Sequence, residues 1–136
     1  MNSKPAEAEA RSAADFLFSL MEQAWNVADV DAYAQLFSDH TGYVNRYGAV
    51  FQSRAEVARI HAEAFAGRFK GTRLHLSTRR FRLLEPAVAV AHVDVVTSSS
   101  GSDSRELRAI ATVVLHKHEN DWQIAALHVS EVQPSQ

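Results

Sequence analysis

Asp94 and His92 stand two residues apart in the alternating run Ala87–Thr97, where a β-strand sends every second side chain to one face. That face holds Val88, Val90, His92, Asp94 and Val96. Desolvating a carboxylate among valines is expensive. Asp94 is therefore an acid, base or anchor whose pKa the apolar neighbours raise, or it is a structural ion partner. Its partner would then be Arg108 or another arginine on a neighbouring strand, or a group across a subunit interface. His61 lies beside the apolar stripe Val57, Ile60, Ala64 and Phe65, as a proton acceptor or as a hydrogen-bonded core histidine. Alternation groups His128 with Trp122, Ile124 and Ala126. Trp25, Tyr33, Tyr43 and Tyr47 are candidate aromatic walls for a pocket, or core. A metal held by His61, His92 and His128 is conceivable, but no histidine pair has the short helical spacing that metal sites use, and none is expected. His116-Lys117-His118 reads as a solvated strand tip. Five scattered glycines contain no dinucleotide-binding fingerprint, so no cofactor is expected either.

The elements that must position these groups follow from periodicity. Residues 1–7 read as a loose leader, residues 8–132 as one domain and residues 133–136 as a tail. From about Ala8, the positions Ala13, Phe16, Leu17, Leu20, Met21, Ala24 and Trp25 trace one face of a helix, broken over Asn26 to Asp29. Asp29 caps a short second helix with Val30, Tyr33, Leu36 and Phe37 on its buried side. Thr41 to Arg46 reads as a strand that turns at Gly48 into a short partner, Val50-Phe51. Ser53 with Glu56 opens a third helix that Gly67 ends. Four strands follow over Thr72–Leu84, Ala87–Thr97, Glu106–His118 and Trp122–Val132. Pro86 and Asn120-Asp121 mark two turns, and the run Ser98 to Ser104 a mobile hairpin loop. Arg79-Arg80 and Arg82 put positive charge on both faces of the first of these strands. Helices followed by a meander give an α+β domain with helices on one face of an antiparallel sheet. The second and third strands carry apolar residues on both faces, and the helices cover only one. A homodimer packed sheet to sheet is therefore expected.

Composition limits the classes of function. The chain has 136 residues, 46% hydrophobic and 22% charged, enough for one folded domain with its own core. Fourteen Lys and Arg against sixteen Asp and Glu leave a formal charge of −2, which favours neither nucleic acid nor an anionic membrane as a partner. Without cysteine there is no thiol nucleophile, thiolate metal site or disulfide. Asp15 and Glu22 interrupt the only apolar N-terminal stretch, so no signal peptide is read, and a cytoplasmic protein is expected.

The order Trp25-Asn26-Val27-Ala28-Asp29, Ala34-Gln35-Leu36-Phe37, Tyr43-Val44-Asn45 with Gly48, Ser53-Arg54, His61 with Phe65, and Trp122-Gln123-Ile124 to His128-Val129-Ser130 spans nearly the whole chain. It resembles the nuclear transport factor 2-like, SnoaL-like (ketosteroid isomerase-like) superfamily, and within it the SgcJ/EcaC group. The resemblance implies a cystatin-like cone, with three N-terminal helices on a strongly curved sheet, a pocket open at one end and a dimer as the commonest assembly. It also implies that the strand carrying Asp94 lines the pocket and, by similarity to kinase association domains, that His61 faces it. The resembled steroid isomerases carry their catalytic aspartate where this chain has Asn45, and an amide cannot abstract a proton. Ketosteroid isomerase activity is thus disfavoured. The expected protein binds a small apolar organic molecule, with Asp94 and His61 as catalytic candidates in cofactor-free isomerase, cyclase or hydratase chemistry. Asn45, His92, Tyr33, Tyr43, Trp25 and His128 would contact the ligand. The alternative is a non-catalytic dimerisation or ligand-sensing module.

Overall fold

The computed structural model describes residues 4–99 and 105–133. Helix α1 (Lys4–Asn26) begins at Lys4 rather than Ala8, so residues 4–7 are helical and not a loose leader. Its buried stripe is Ala10, Ala14, Leu17, Phe18, Met21, Ala24 and Trp25. Phe16, expected on that stripe, is 66% exposed. Steps of three and four from Ala14 reach Leu17, Phe18 and Met21 but miss residue 16, so Phe18 takes the core position. The helix stops where the Asp29 N–H donates to the Ala24 carbonyl and the Ala28 N–H to that of Trp25, at 2.8 and 2.9 Å. These are the two hydrogen bonds of a Schellman cap, which turns the chain through a left-handed residue. That residue is Ala28, at φ 56°.

Asp29 caps α2 (Val30–Ala34) by accepting from the Ala32 N–H at 3.0 Å. Strand β1 (Phe37–Val44) starts before the expected Thr41 and takes Phe37 out of the helix. Asn45 and Gly48 turn it into β2 (Val50–Phe51), with Gly48 at φ 82°, a conformation that costs glycine nothing. Helix α3 (Arg54–Ala66) is capped by Ser53 Oγ, which accepts from the Glu56 N–H at 3.1 Å. The long strands are β3 (Arg73–Glu85), β4 (Val88–Ser98), β5 (Glu106–His118) and β6 (Asp121–Glu131). The central part of the expected Ser98–Ser104 loop lies outside the described residues, as do residues 1–3 and the end of the tail.

One six-stranded sheet results, in the order β2-β1-β6-β5-β4-β3. It is not wholly antiparallel, because β1 runs parallel to β6. The three helices lie in the first half of the chain, but β1 and β2 separate the second from the third. All three pack toward one sheet face, where β4 contributes Ala89, Ala91, Val93, Val95 and Thr97. Phe37, Leu115 and Ile124, each fully buried, fill the closed end of this layer.

Four irregularities decide which side chains point inward, one of them at Leu84, an extra residue between Leu83–Ala89 and Glu85–Val88. Arg79 is an extra residue between the pairs Thr78–Val93 and Arg80–His92. Ala125 is an extra residue between Leu115–Ile124 and Val114–Ala126. On β1, Phe37 to Gly42 faces only Ile124 to Ala126. Each such bulge bends its strand and shifts the alternation of faces.

Helix α1 also closes the free edge of β3. The N–H groups of Leu74, Leu76 and Leu83 donate to Asn26, Glu22 and Glu7 at 2.8, 2.7 and 3.0 Å. Helix side chains thus replace the missing neighbouring strand and leave the edge less open to pairing with another chain. Among the described residues no helix is long and apolar enough to cross a membrane.

The left-handed alanine at the end of α1 generates a prediction. Replacing Ala28 with glycine removes the Cβ strain while keeping both cap bonds, and should stabilise the fold by up to about 1 kcal/mol. Chemical denaturation checks this, with an unchanged or lower midpoint as the contrary result.

Candidate functional site

Between the helices and the inner sheet face lies a cavity of about 410 Å³. Its depth is apolar, walled by Phe18, Met21, Val93, Val95, Val113 and Leu127. The exposed residues Tyr47, Arg59, Glu63 and Arg68 also line it and mark its mouth. The helix period and the strand alternation therefore meet in a space too large for their side chains to fill.

His61 stands on this wall, 4% exposed. Its Nδ1 lies 2.8 Å from the Val57 carbonyl one turn earlier in α3. A carbonyl only accepts, so Nδ1 carries the proton and Nε2 keeps its lone pair for another partner. Burial pushes the pKa of His61 down to about 4, only partly opposed by that hydrogen bond. The imidazole is therefore neutral at physiological pH.

Aromatic rings hold it in place. The Tyr33 ring is 4.4 Å away between centroids, Tyr43 5.4 Å, and Trp25 and Phe65 6.0 Å each. Trp25 is oriented in turn by its indole N–H, which donates to Thr72 Oγ1 at 3.0 Å, while that hydroxyl donates to the Phe69 carbonyl at 2.7 Å. Tyr33 and Tyr43 line the cavity, and among the described residues neither hydroxyl has a hydrogen-bond partner. Burial raises the pKa of Tyr33 well above its ordinary value, helped by Tyr43, and pushes Tyr43 up to about 12 against the pull of Arg46. Both phenols stay protonated and can donate.

Asn45 also reaches the cavity, but its Oδ1 is committed to the β1–β2 turn. It accepts from the N–H groups of Tyr47 and Ala49 at 2.9 and 3.0 Å. Only its amide nitrogen is left for a ligand. Of the residues singled out from the sequence, the structure thus gathers His61, Tyr33, Tyr43, Trp25 and Asn45 around one space.

It does not bring Asp94, His92 or His128 there. Inward positions on β4 alternate with half-buried outward ones, and His92 and Asp94 belong to the outward set. The Asp94 carboxylate receives both Arg79 Nη2 at 2.8 Å and Arg79 Nε at 3.1 Å, so the expected pairing with His61 across a pocket is replaced by a surface ion pair. The bulge at Arg79 makes this contact possible. It also sets Arg80 and Arg82 opposite the outward His92 and Val90, so the arginines of β3 share one face rather than two. His128 is exposed and lies across from Thr112, because the extra residue Ala125 separates its alternation from that of the buried Ile124. With His61 on one sheet face and His92 and His128 on the other, these three cannot share a metal ion, and among the described residues no other group of three His, Cys, Asp or Glu converges.

Two lining residues escaped the sequence reading, Arg46 and Thr97. Arg46 follows Asn45 directly and is flanked by Tyr43 and Tyr47, which is the only sequence signal it offers. Thr97 sits on the inward alternation of β4 with nothing in its surroundings in sequence to mark it.

Residues 16–134 match the family of SnoaL-like domains. No curated protein matches the chain in sequence. Among solved structures, an uncharacterized protein with a cystatin-like fold from Caulobacter vibrioides is 23% identical, with a TM-score of 0.81 over 93% of this chain and 92% of that one. A domain of unknown function with a cystatin-like fold from Nostoc punctiforme is also 23% identical, with a TM-score of 0.81 over 93% of this chain and 78% of that one. A hexachlorocyclohexane dehydrochlorinase from Novosphingobium barchaimii is 12% identical, with a TM-score of 0.83 over 96% and 92%. These likenesses establish the cystatin-like fold.

The depressed pKa of His61 makes stability depend on pH. Above about pH 6.5 the imidazole is neutral in both folded and unfolded chains, and its contribution is intact. As pH falls the unfolded chain takes the proton first, so stability is lost down to the folded value of about 4. The loss is on the order of 3 kcal/mol. Denaturant melts across this range should show the wild type losing that much more than His61→Gln, and parallel curves would show that His61 is not held neutral.

Proposed function

The chain belongs to the SnoaL-like domain family, and on that premise we propose that it binds one small, mostly apolar organic molecule and acts on it by acid–base chemistry. The observation that carries this reading is a neutral His61, Nε2 uncommitted, beside two protonated tyrosines in an apolar cavity. In the proposed reaction Nε2 takes a proton from a carbon of the bound molecule, and the electron pair moves toward an oxygen or a leaving group. Tyr33 and Tyr43 donate hydrogen bonds to the oxygen that gains charge. Isomerisation, cyclisation and elimination share this first step, and a hydration would run the elimination of water backwards, with the imidazolium returning the proton to carbon last. Trp25 and the Asn45 amide nitrogen orient the ligand. Trp25 to Asp29 and Trp122 to Ser130 support the finer assignment to an SgcJ/EcaC-type group.

The second reading is a ligand-sensing module without catalysis. Asn45 favours it, since this position carries no base and its carbonyl oxygen serves the turn. The two readings separate in one experiment. Native mass spectrometry of freshly purified protein identifies a retained ligand, which is then supplied to wild type and His61→Gln. Catalysis requires wild-type turnover and a loss of about 100-fold or more in the variant with binding retained. Equal conversion by the two proteins would remove His61 from the mechanism, and binding without conversion would establish the sensing module.

The same reading includes a homodimer through the sheet face that no helix covers. Val90 and Val96 on β4 and Ile110 and Val114 on β5 lie there half-buried. An apolar surface of this kind favours a second copy. Sedimentation should give a dimer that Ile110→Lys dissociates without unfolding. A wild-type monomer would remove the proposal.

A further inference from the structure

We infer that the ligand is an organic acid, held by its carboxylate against Arg46 while its apolar body fills the cavity toward Thr97. This rests on the small-molecule reading above and names the class of molecule.

Arg46 has a side chain only 9% exposed and lines the cavity, with its guanidinium 5.1 Å from the centre of the Phe69 ring. Among the described residues its buried Nη1 has no hydrogen-bond partner. The acid nearest to it is Glu131, whose Oε1 lies 3.7 Å away, within ion-pair range but beyond hydrogen-bond reach. A guanidinium never gives up its charge, and a buried N–H without a partner costs free energy that an anion in the cavity would return. Thr97 is the second such group. It is 2% exposed, lines the same cavity, and its buried Oγ1 has no partner among the described residues.

The topology puts the two at one end of the cone. Arg46 lies two residues past the end of β1, and Thr97 is the penultimate residue of β4. Glu131 at the end of β6 pairs with Ala109 near the start of β5, which pairs with Val95. The charge around this end is one-sided as well. Three arginines line the cavity (Arg46, Arg59 and Arg68) against a single acid, Glu63, which already pairs with Arg59 at 3.4 Å. Arg68 lies over the rings of Tyr47 and Phe69, at 5.2 and 5.7 Å. An apolar depth with a cationic rim fits an amphiphilic anion, and a planar fork fits a carboxylate. The volume, at the lower end of the usual range for ligand sites, suits one or two rings.

The probes are naphthoate and its neutral near-isostere naphthamide, titrated by calorimetry at about pH 7.5, where the acid is ionised. Wild type should bind naphthoate about tenfold more tightly than naphthamide, the size of one charge-assisted hydrogen bond. Arg46→Met should erase that preference by weakening naphthoate alone. Glu131→Gln, at an exposed position that needs no refolding of the core, should strengthen naphthoate by freeing Arg46, and leave naphthamide unchanged. A purely structural Arg46–Glu131 pair predicts no such gain. Equal binding of both probes by wild type, or a Glu131→Gln variant with unaltered preference, overturns the carboxylate assignment while leaving the pocket reading intact. Failure of both probes to bind overturns the pocket reading and this inference together.

Discussion

The two-residue alternation of β4 is the constraint on which the site depends. A strand in the middle of the wall must give one face to the helices, and here that face is Ala89, Ala91, Val93, Val95 and Thr97. These are small side chains. Opposite the large residues of α1 they leave space, and the closed end is sealed only where Phe37, Leu115 and Ile124 come together. The same choice sends His92 and Asp94 outward. A carboxylate turned inward would have to be stripped of water among Val93 and Val95, whereas outward it meets the Arg79 fork and stays partly hydrated. Being largely exposed, that ion pair adds little stability. It matters because it keeps the only carboxylate of the strand out of the cavity.

Helix α1 serves two requirements with two of its faces. Leu17, Phe18, Met21 and Trp25 cover the apolar sheet. Glu7, Glu22 and Asn26 supply acceptors to the unpaired edge of β3, so the long helix is fixed along most of its length to one rail. The two roles meet at Trp25, whose indole is tied through Thr72 to the Phe69 carbonyl. Movement of the edge would therefore move the aromatic wall around His61. The depth of the cavity is thus tied to the sheet edge, while its mouth is formed by the turn after β1 and the exposed end of α3.

Much of the fold is legible in the sequence because its signals are local. The cap at Ser53, the cap at Asp29 and the change of period after Gly71 depend only on neighbours a few residues away, and the elements fall close to where those signals put them. The family resemblance rests on the same local order. The site was legible only in part. His61, Tyr33, Tyr43 and Trp25 are found because a helix face or an aromatic residue declares itself. Asp94 is misplaced because both faces of β4 are apolar enough to be inside, and nothing in a sequence of alternating valines and alanines breaks that tie. His128 is misplaced for a different reason. Counting by twos from Trp122 fails at Ala125, where one extra residue shifts the faces, and a bulge made from alanine leaves no mark. Arg46 is invisible because a charged residue in a turn normally faces water, and only the packing of Phe69 shows that this one does not.

The separation of charge within the cavity bears on how a weak base such as His61 would work in the proposed reaction. Its low basicity comes from burial, and burial acts against the imidazolium only while nothing negative stands near it. As a proton leaves carbon the bound molecule gains negative charge close to the ring. In an environment of low dielectric that charge stabilises the imidazolium far more than it would in water. The base is thus weak in the resting protein and becomes stronger as the reaction advances. The two phenols lower the cost of the same charge without becoming ionised, since burial holds their protons in place. A permanent cation beside Nε2 would oppose proton uptake. Arg46, anchored against Phe69 with Glu131 near its head, supplies positive charge at the entrance without being among the rings that pack directly on the imidazole. Fixed charge at the rim and neutral donors in the depth are what the proposed reaction on an anion would require of one cavity.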